Sequence, residues 1–351
     1  MAYSIESKIA ALAVKRASRF AQKVASLHDG TNSITKSDDS PVTVADFGAQ
    51  AIIIGALKHV FPHDKIVGEE DAGKLRADQS LCSKVWDLVR EVSIQDDFGA
   101  EIGVISSANE MMDLIDYGNY GGGPKGRMWA LDPIDGTKGF IRKGQYAVCL
   151  ALIEDSDVVV GAIGCPNLPV SVEGQNKELD TSLAPLGTLF TATKGHGAFS
   201  SSLFGNQGIK LSSNTKIHFN PISDVSGATF CESVEAGHSS HGTQARIAHI
   251  LGITKPSVRM DSQAKYCSIS RGDGDIYLRL PVSDTYEEKI WDHAAGNLLV
   301  AEAGGRVSDM YGQPLNFGVG RTLKQNKGVI ASSRDIHESV LKAVKEALSE
   351  N

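Results

Sequence analysis

The sequence predicts a protein of two lobes, the first a mixed α+β lobe and the second an alternating α/β one. Three observations predict it. The chain has 351 residues, more than the ~250–300 over which a single hydrophobic core grows. Short β-rich apolar runs alternate with stretches whose apolar residues recur at three- and four-residue steps, the pattern of strands and amphipathic helices laid in layers. Finally, Trp129-Ala130-Leu131 reads as a buried strand and ends in Asp132-Pro133-Ile134-Asp135-Gly136-Thr137, so that a strand delivers two carboxylates to the edge of a sheet. A division near residue 187 separates a first lobe, 1–187, from a second, 188–351.

The elements follow in order. Ile9, Leu12, Ala13, Ala17, Phe20 and Val24 mark an opening amphipathic helix. A polar loop over 28–40 leads to Ser40-Pro41-Val42-Thr43 and a second helix through Ile52, Ile53, Ala56 and Val60. Lys65–Gly68 is a short strand ending in Glu69-Glu70, and 75–117 reads as helices around a linker near 95–99. The glycine-rich loop Gly118–Gly126 lacks the Gly-Lys-Ser/Thr ending of a P-loop and reads as a flexible connection. After the central strand, Gln145–Glu154 and Val158–Gly164 form a hairpin about Asp155-Ser156-Asp157, and Gly187–Thr193 is a further strand. The second lobe alternates: strand at Ala228–Cys231, helix at Thr243–Leu251, strand at Val258–Met260, helix from Asp261, strand at Asp275–Pro281. A small-residue helix then runs from Ile290 to Ala303 and is stopped by Gly304-Gly305. Two short strands and a closing helix through Ile336, Val340, Val344 and Leu348 end the chain.

A net charge of −7 offers no basic platform for a nucleic-acid polymer. No apolar run approaches the ~20 residues needed to span a bilayer. Cys82, Cys149, Cys165, Cys231 and Cys267 are odd in number and lack metal-type spacing, which suits a reduced, cytoplasmic protein. His238 and His241 stand three apart with no other soft ligand near, so zinc is not expected.

The chemistry lies in the acids. Pro133 has no N–H to donate to a neighbouring strand, and Gly136 permits a tight turn that frees the following amides. Two carboxylates, the Ile134 carbonyl, free amides and the Thr137 hydroxyl suit a hard, oxygen-seeking cation with an anionic ligand above it. Each acid alone also fits a structural role. Asp-Gly is a common turn pair, Thr43 and Asp46 have the spacing of a capping box, and Glu69-Glu70 reads as solvated surface.

Taken in order, Asp46, Glu69-Glu70, Asp132-Pro133-Ile134-Asp135-Gly136-Thr137, Trp291-Asp292 and Gly304-Gly305 resemble the signature of the lithium-sensitive, Mg²⁺-dependent phosphatases of the inositol monophosphatase and fructose-1,6-bisphosphatase superfamily. Within it, Ser40-Pro41-Val42-Thr43, Gly237-His238-Ser239-Ser240-His241, Asp261-Ser262-Gln263-Ala264-Lys265-Tyr266 and Asp275–Pro281 look like the blocks of the eukaryotic 3′(2′),5′-bisphosphate nucleotidases. The resemblance implies a two-lobed, layered αβαβα sandwich with the site between lobes. It implies that Glu69, Asp132, the Ile134 carbonyl, Asp135 and Asp292 hold two to three Mg²⁺ ions, and that Asp46 and Thr137 orient and deprotonate water, the Thr137 hydroxyl donating to Asp46. It assigns Gly136, Thr137, His238, Asp261, Ser262, Lys265, Arg279 and Asp292 to the substrate. It implies a monomer that removes the 3′-phosphate of adenosine 3′,5′-bisphosphate, acts on 3′-phosphoadenylyl sulfate, and is inhibited by Li⁺ and Na⁺. Sulfate assimilation and salt tolerance are the processes it implies. A phosphatase of inositol phosphates, or a silent nucleotide sensor, would carry many of the same residues.

Overall fold

The computed structural model of the chain describes residues 2–27, 33–35, 41–95, 98–170, 185–204, 214–234, 241–281, 283 and 285–349. Helix α1 (Ser4–Leu27) is followed by a ribbon of β1 (Ser33–Thr35) and β2 (Pro41–Thr43), which leads straight into α2 (Val44–Val60). Strand β3 (Lys65–Gly68) and helices α3 (Gly73–Ala77), α4 (Gln79–Gln95), α5 (Gly99–Ile102) and α6 (Ala108–Tyr117) precede the central strand, β4 (Arg127–Asp135). Then come α7 (Thr137–Ile141), β5 (Ala147–Glu154), β6 (Asp157–Pro169), β7 (Leu186–Thr193), β8 (Gly197–Ser202) and β9 (Thr215–Ile217). The rest is β10 (Phe230–Glu232), α8 (His241–Ile250), β11 (Val258–Arg259), α9 (Ala264–Ser270), β12 (Ile276–Arg279), α10 (Ala294–Glu302), β13 (Gly305–Ser308), β14 (Val329–Ser333) and α11 (His337–Ser349).

These elements stack in five layers, αβαβα. A seven-stranded sheet runs β3-β4-β5-β6-β7-β8-β9 and a five-stranded sheet runs β11-β10-β12-β14-β13. Helices α1 and α2 cover one face of the larger sheet, α9 and α10 lie between the two sheets, and α8 and α11 cover the far face of the smaller one. The alternation of side chains along each strand decides which core a residue joins. On β5, Val148, Leu150 and Leu152 face α1 and α2, while Ala147, Cys149 and Ala151 face α9 and α10. On β12, Ile276 and Leu278 face outward and Tyr277 inward. The middle layer is thin because its residues are small. A Cβ added at Gly161 of β6 would lie 3.1 Å from the Ala295 carbonyl oxygen, and one at Gly296 would strike the Tyr266 ring at 2.2 Å. All five cysteines are free and buried. No helix among the described residues is long and apolar enough to cross a membrane.

The structure differs from expectation in several places, of which three position the site. The larger sheet does not end at residue 187, since β7, β8 and β9 extend it antiparallel as far as Ile217. By sheet membership the change of lobe falls between Ile217 and Phe230. Helix α10 opens at Ala294, not Ile290; residues 290–293 form a turn in which the His293 and Ala294 N–H groups both donate to the Ile290 carbonyl (3.3 and 2.9 Å). The glycine-rich stretch after α6 is pinned rather than loose. Gly68 N–H donates to the Gly118 carbonyl (2.7 Å) and Tyr120 N–H to that of Ile66 (3.1 Å), and a Cβ at Gly122 would lie 2.6 Å from the Gly320 carbonyl oxygen.

Candidate active site

Strand pairing builds the first wall. Strands β3 and β4 run parallel with Gly68 beside Leu131, so the next residues, Glu69 just past β3 and Asp132 within β4, lie level with each other. Strands β4 and β5 run antiparallel with Asp132 opposite Cys149 and Asp135 opposite Ala147. Three steps on β4 therefore match two on β5, which is one extra residue, a bulge. Residues three apart on a regular strand face opposite sides. The bulge brings Asp132 and Asp135 to one side.

Gly136 follows in the left-handed region (φ 85°), where a side chain is disfavoured. A Cβ there would also lie 3.0 Å from the Ser262 Cβ. Ser262 is itself left-handed (φ 69°), a strained state for a residue with a side chain, so two tight turns press against each other in the cleft. Thr137 opens α7, and its hydroxyl donates back to the Ile134 carbonyl at 3.2 Å. This differs from the expected bond to Asp46. A threonine at the first helical position sits beside the carbonyl three residues back, within reach of its hydroxyl.

The second wall comes from the smaller lobe. The backbone N–H of Gln263 donates to Asp135 Oδ2 at 2.5 Å, while its side-chain amide donates to the Trp291 carbonyl (2.8 Å) and accepts from Gly296 N–H (3.0 Å). Gln263 thus ties Asp135 to the segment that carries Asp292. Arg279 Nε meets Glu288 Oε2 at 2.7 Å and its Nη2 lies 3.8 Å from Asp292 Oδ2. Glu288 also meets His293 Nε2 at 3.0 Å, and His293 Nδ1 meets the Tyr266 hydroxyl at 2.8 Å. Glu288, Asp292 and His293 offer ligand atoms within 4.8 Å of one another, but the Arg279 guanidinium already neutralises that group. Asp261 accepts from Arg142 Nη2 at 2.6 Å.

The gathering shifts the charges of its members. Burial pushes the Asp132 carboxyl well above the carboxylate range, and Glu69, Asp135, Asp292 and Asp46 push it further. Four acids, three of them from other elements, therefore act on Asp132. Burial also raises Asp135 to about 6, against the pull of Lys265, the Gln263 amide and Arg279. Burial raises Asp292 to about 7, opposed by Arg279 and assisted by Asp135. Burial lowers the Lys265 ammonium, with Asp135 opposing. Burial also opposes the Arg279 charge, but Glu288, Tyr277 and Asp292 outweigh it; in return Glu288 falls to about 2 despite its own burial. Asp132 Oδ1 is buried without a hydrogen-bond partner. Carboxylates crowded with an unbonded buried oxygen are costly unless a cation joins them, and an all-oxygen donor set fits a hard divalent ion.

Asp46, Glu69, Asp132, Asp135 and Asp292 are therefore brought together, with Ile134, Gly136, Asp261, Ser262, Lys265 and Arg279 around them. His238 lies outside the described residues. The roles of Gln263, Glu288 and Arg142 were not legible in the sequence. Gln263 sits inside the Asp261–Tyr266 block, where the block was the only signal. Glu288 and Arg142 lie in polar stretches with no pattern to single them out.

A five-layer stack with buried carboxylates meeting between its sheets is the arrangement that the comparisons place: residues 2–349 match the Inositol monophosphatase family, and the chain belongs to it. It is thus a phosphatase by family. Among curated relatives, 3′(2′),5′-bisphosphate nucleotidases are similar along the whole length. That of Emericella nidulans is 53% identical, covering 99% of this chain and 99% of its own. That of Schizosaccharomyces pombe is 53% identical, covering 98% of this chain and 96% of its own. Of solved structures, an IMPase from Thermotoga maritima shares the fold with a TM-score of 0.61 at 20% identity, covering 97% of this chain and 96% of that one.

Proposed function

We propose that the chain hydrolyses the 3′-phosphate of adenosine 3′,5′-bisphosphate to AMP and phosphate with bound Mg²⁺, and acts likewise on 3′-phosphoadenylyl sulfate. The observation that carries the reaction class is the convergence of Asp46, Glu69, Asp135 and Asp292 on buried Asp132. The substrate is supported by the names of relatives 53% identical over nearly the full length.

Glu69, Asp132, the Ile134 carbonyl, Asp135 and Asp292 would hold two or three ions. When bound, these supply charge neutralisation and a nucleophile at neutral pH. Such help is needed because an anionic ester repels an anionic nucleophile, and the slowest hydrolyses of this kind demand about 20 kcal/mol or more of barrier reduction. The remaining work falls to side chains. The Thr137 hydroxyl donates to Ile134 and keeps lone pairs to accept from the attacking water. For the water's proton to reach buried Asp46, the Thr137 hydroxyl turns from Ile134 to donate to Asp46 as it accepts from the water. The backbone of Gly136 and Thr137 contacts the departing phosphoryl group. Lys265 and Arg279 neutralise the phosphate that is kept, Arg279 as a planar fork oriented by Glu288. Asp261, Ser262 and His238 contact the nucleoside. Li⁺ and Na⁺ inhibit by occupying an ion position with too little charge.

Phosphate release from adenosine bisphosphate, inositol 1-phosphate and fructose 1,6-bisphosphate, with Mg²⁺ and with added Li⁺, tests this. The nucleotide should be preferred and Li⁺ inhibitory. Preference for inositol 1-phosphate overturns the substrate, and nucleotide binding without release overturns the reaction. Asp135→Asn should keep the fold and lose more than ~10²-fold in kcat, since changes one shell farther out already cost 10–100-fold.

A further inference from the structure

Arg321 belongs to neither wall of the cleft, yet it reaches both segments that carry acids. From Nη2 it donates to the Gly68 carbonyl at 2.5 Å, and from Nη1 to those of Tyr120 (3.0 Å) and Gly118 (3.3 Å). Its guanidinium carbon lies 4.8 Å from the centre of the Trp291 ring. Its carbonyl accepts from Ile290 N–H, and Thr322 pairs with Lys289 as an isolated bridge. Gly68 is the chain neighbour of Glu69, and Trp291 is that of Asp292. One side chain therefore fastens the end of β3 in the first lobe to the turn before α10 in the second. Burial lowers its proton affinity and the Glu69 carboxylate opposes this, which puts Glu69 within electrostatic reach.

We propose that Arg321 is a positioning residue that sets the separation of Glu69 and Asp292, and through it the divalent-cation affinity of the cleft. The proposal rests on reading the acid cluster as the Mg²⁺ site. A planar fork is needed, because three carbonyls and an aromatic face are engaged at once. A lysine ammonium keeps the charge but cannot span them. The role is thus separable from simple neutralisation of the acids.

Arg321→Lys is the decisive variant. Mg²⁺ binding to the protein without substrate is followed by calorimetry and by Trp291 fluorescence, beside kcat and KM at varied Mg²⁺. Expected is a 10–100-fold weaker Mg²⁺ affinity, the range for changes in groups that support ligands. The KM for adenosine bisphosphate at saturating Mg²⁺ should stay within about twofold and most of kcat should return there. Parental Mg²⁺ affinity in Arg321→Lys overturns the proposal, as does a raised nucleotide KM with Mg²⁺ affinity unchanged. Asp135→Asn runs alongside: parental Mg²⁺ binding there would sink the metal reading itself, whatever Arg321→Lys does. Should Arg321→Lys fail to fold, Arg321→Gln, judged by the same split between ion and nucleotide, decides.

Discussion

Asp135 and Asp292, lifted by burial to about 6 and about 7, make the metal-free protein sensitive to pH. A carboxyl raised in the folded state binds more protons there than when unfolded, so stability falls as pH rises from the unfolded value through the folded one. His337, held between Ser308 (2.8 Å) and Ser332 (3.0 Å), is lowered by burial to about 4. It acts oppositely, since its contribution is present above its unfolded value of 6.5 and lost as pH falls toward 4. Above pH 6.5 the His337 effect is spent and the Asp292 effect is not. With chelator present, the melting temperature should therefore drop between pH 6.5 and about pH 8, and the rise produced by Mg²⁺ should be larger at the higher pH. A metal-free melting temperature that climbs over this interval contradicts the placement of Asp292. The acids themselves were legible in the sequence because each sits at the start or end of a recognisable element and their order matches a known signature. Their supporters were not. A backbone amide such as that of Gln263, or a guanidinium such as that of Arg321, acts through folded geometry and leaves no local pattern.

Helix α2 shows how packing overrides propensity. Gly48 lies in its interior, where alanine is ordinarily favoured by ~1 kcal/mol. A Cβ at Gly48, however, would lie 2.1 Å from Phe20 Cζ, and Phe20 is wholly buried. Overpacking of this kind costs ~1–3 kcal/mol, so Gly48→Ala should lower the urea midpoint, and an unchanged or higher midpoint would show that α1 can give way. Periodicity located α1, α2, α10 and α11 because each buries a regular face or a whole surface. It misplaced the start of α10, since Ile290 and Ala294 have helical spacing whether the residues between them form a helix or only a turn. The lobe boundary was also illegible, because a strand's sequence does not say which sheet it will join.

Across the whole molecule, one core runs from the larger sheet through α9 and α10 to the smaller, taking in Cys149, Tyr266, Ala295 and Tyr277. The two lobes should therefore unfold together. Trp86 and Trp129 lie in the first lobe and Trp291 in the second, so urea curves followed by tryptophan fluorescence and by far-ultraviolet circular dichroism should coincide. Separate midpoints would mean that the lobes are independent. The surplus residue that β4 carries against β5 has a consequence at this scale too. A lineage that kept the three steps from Asp132 to Asp135 but lost the bulge, pairing β4 residue for residue with β5, would keep both aspartates yet turn one of them toward α1 and α2, into oil. The pairing there is under tighter constraint than the letters alone reveal, and an engineer should leave that bulge intact.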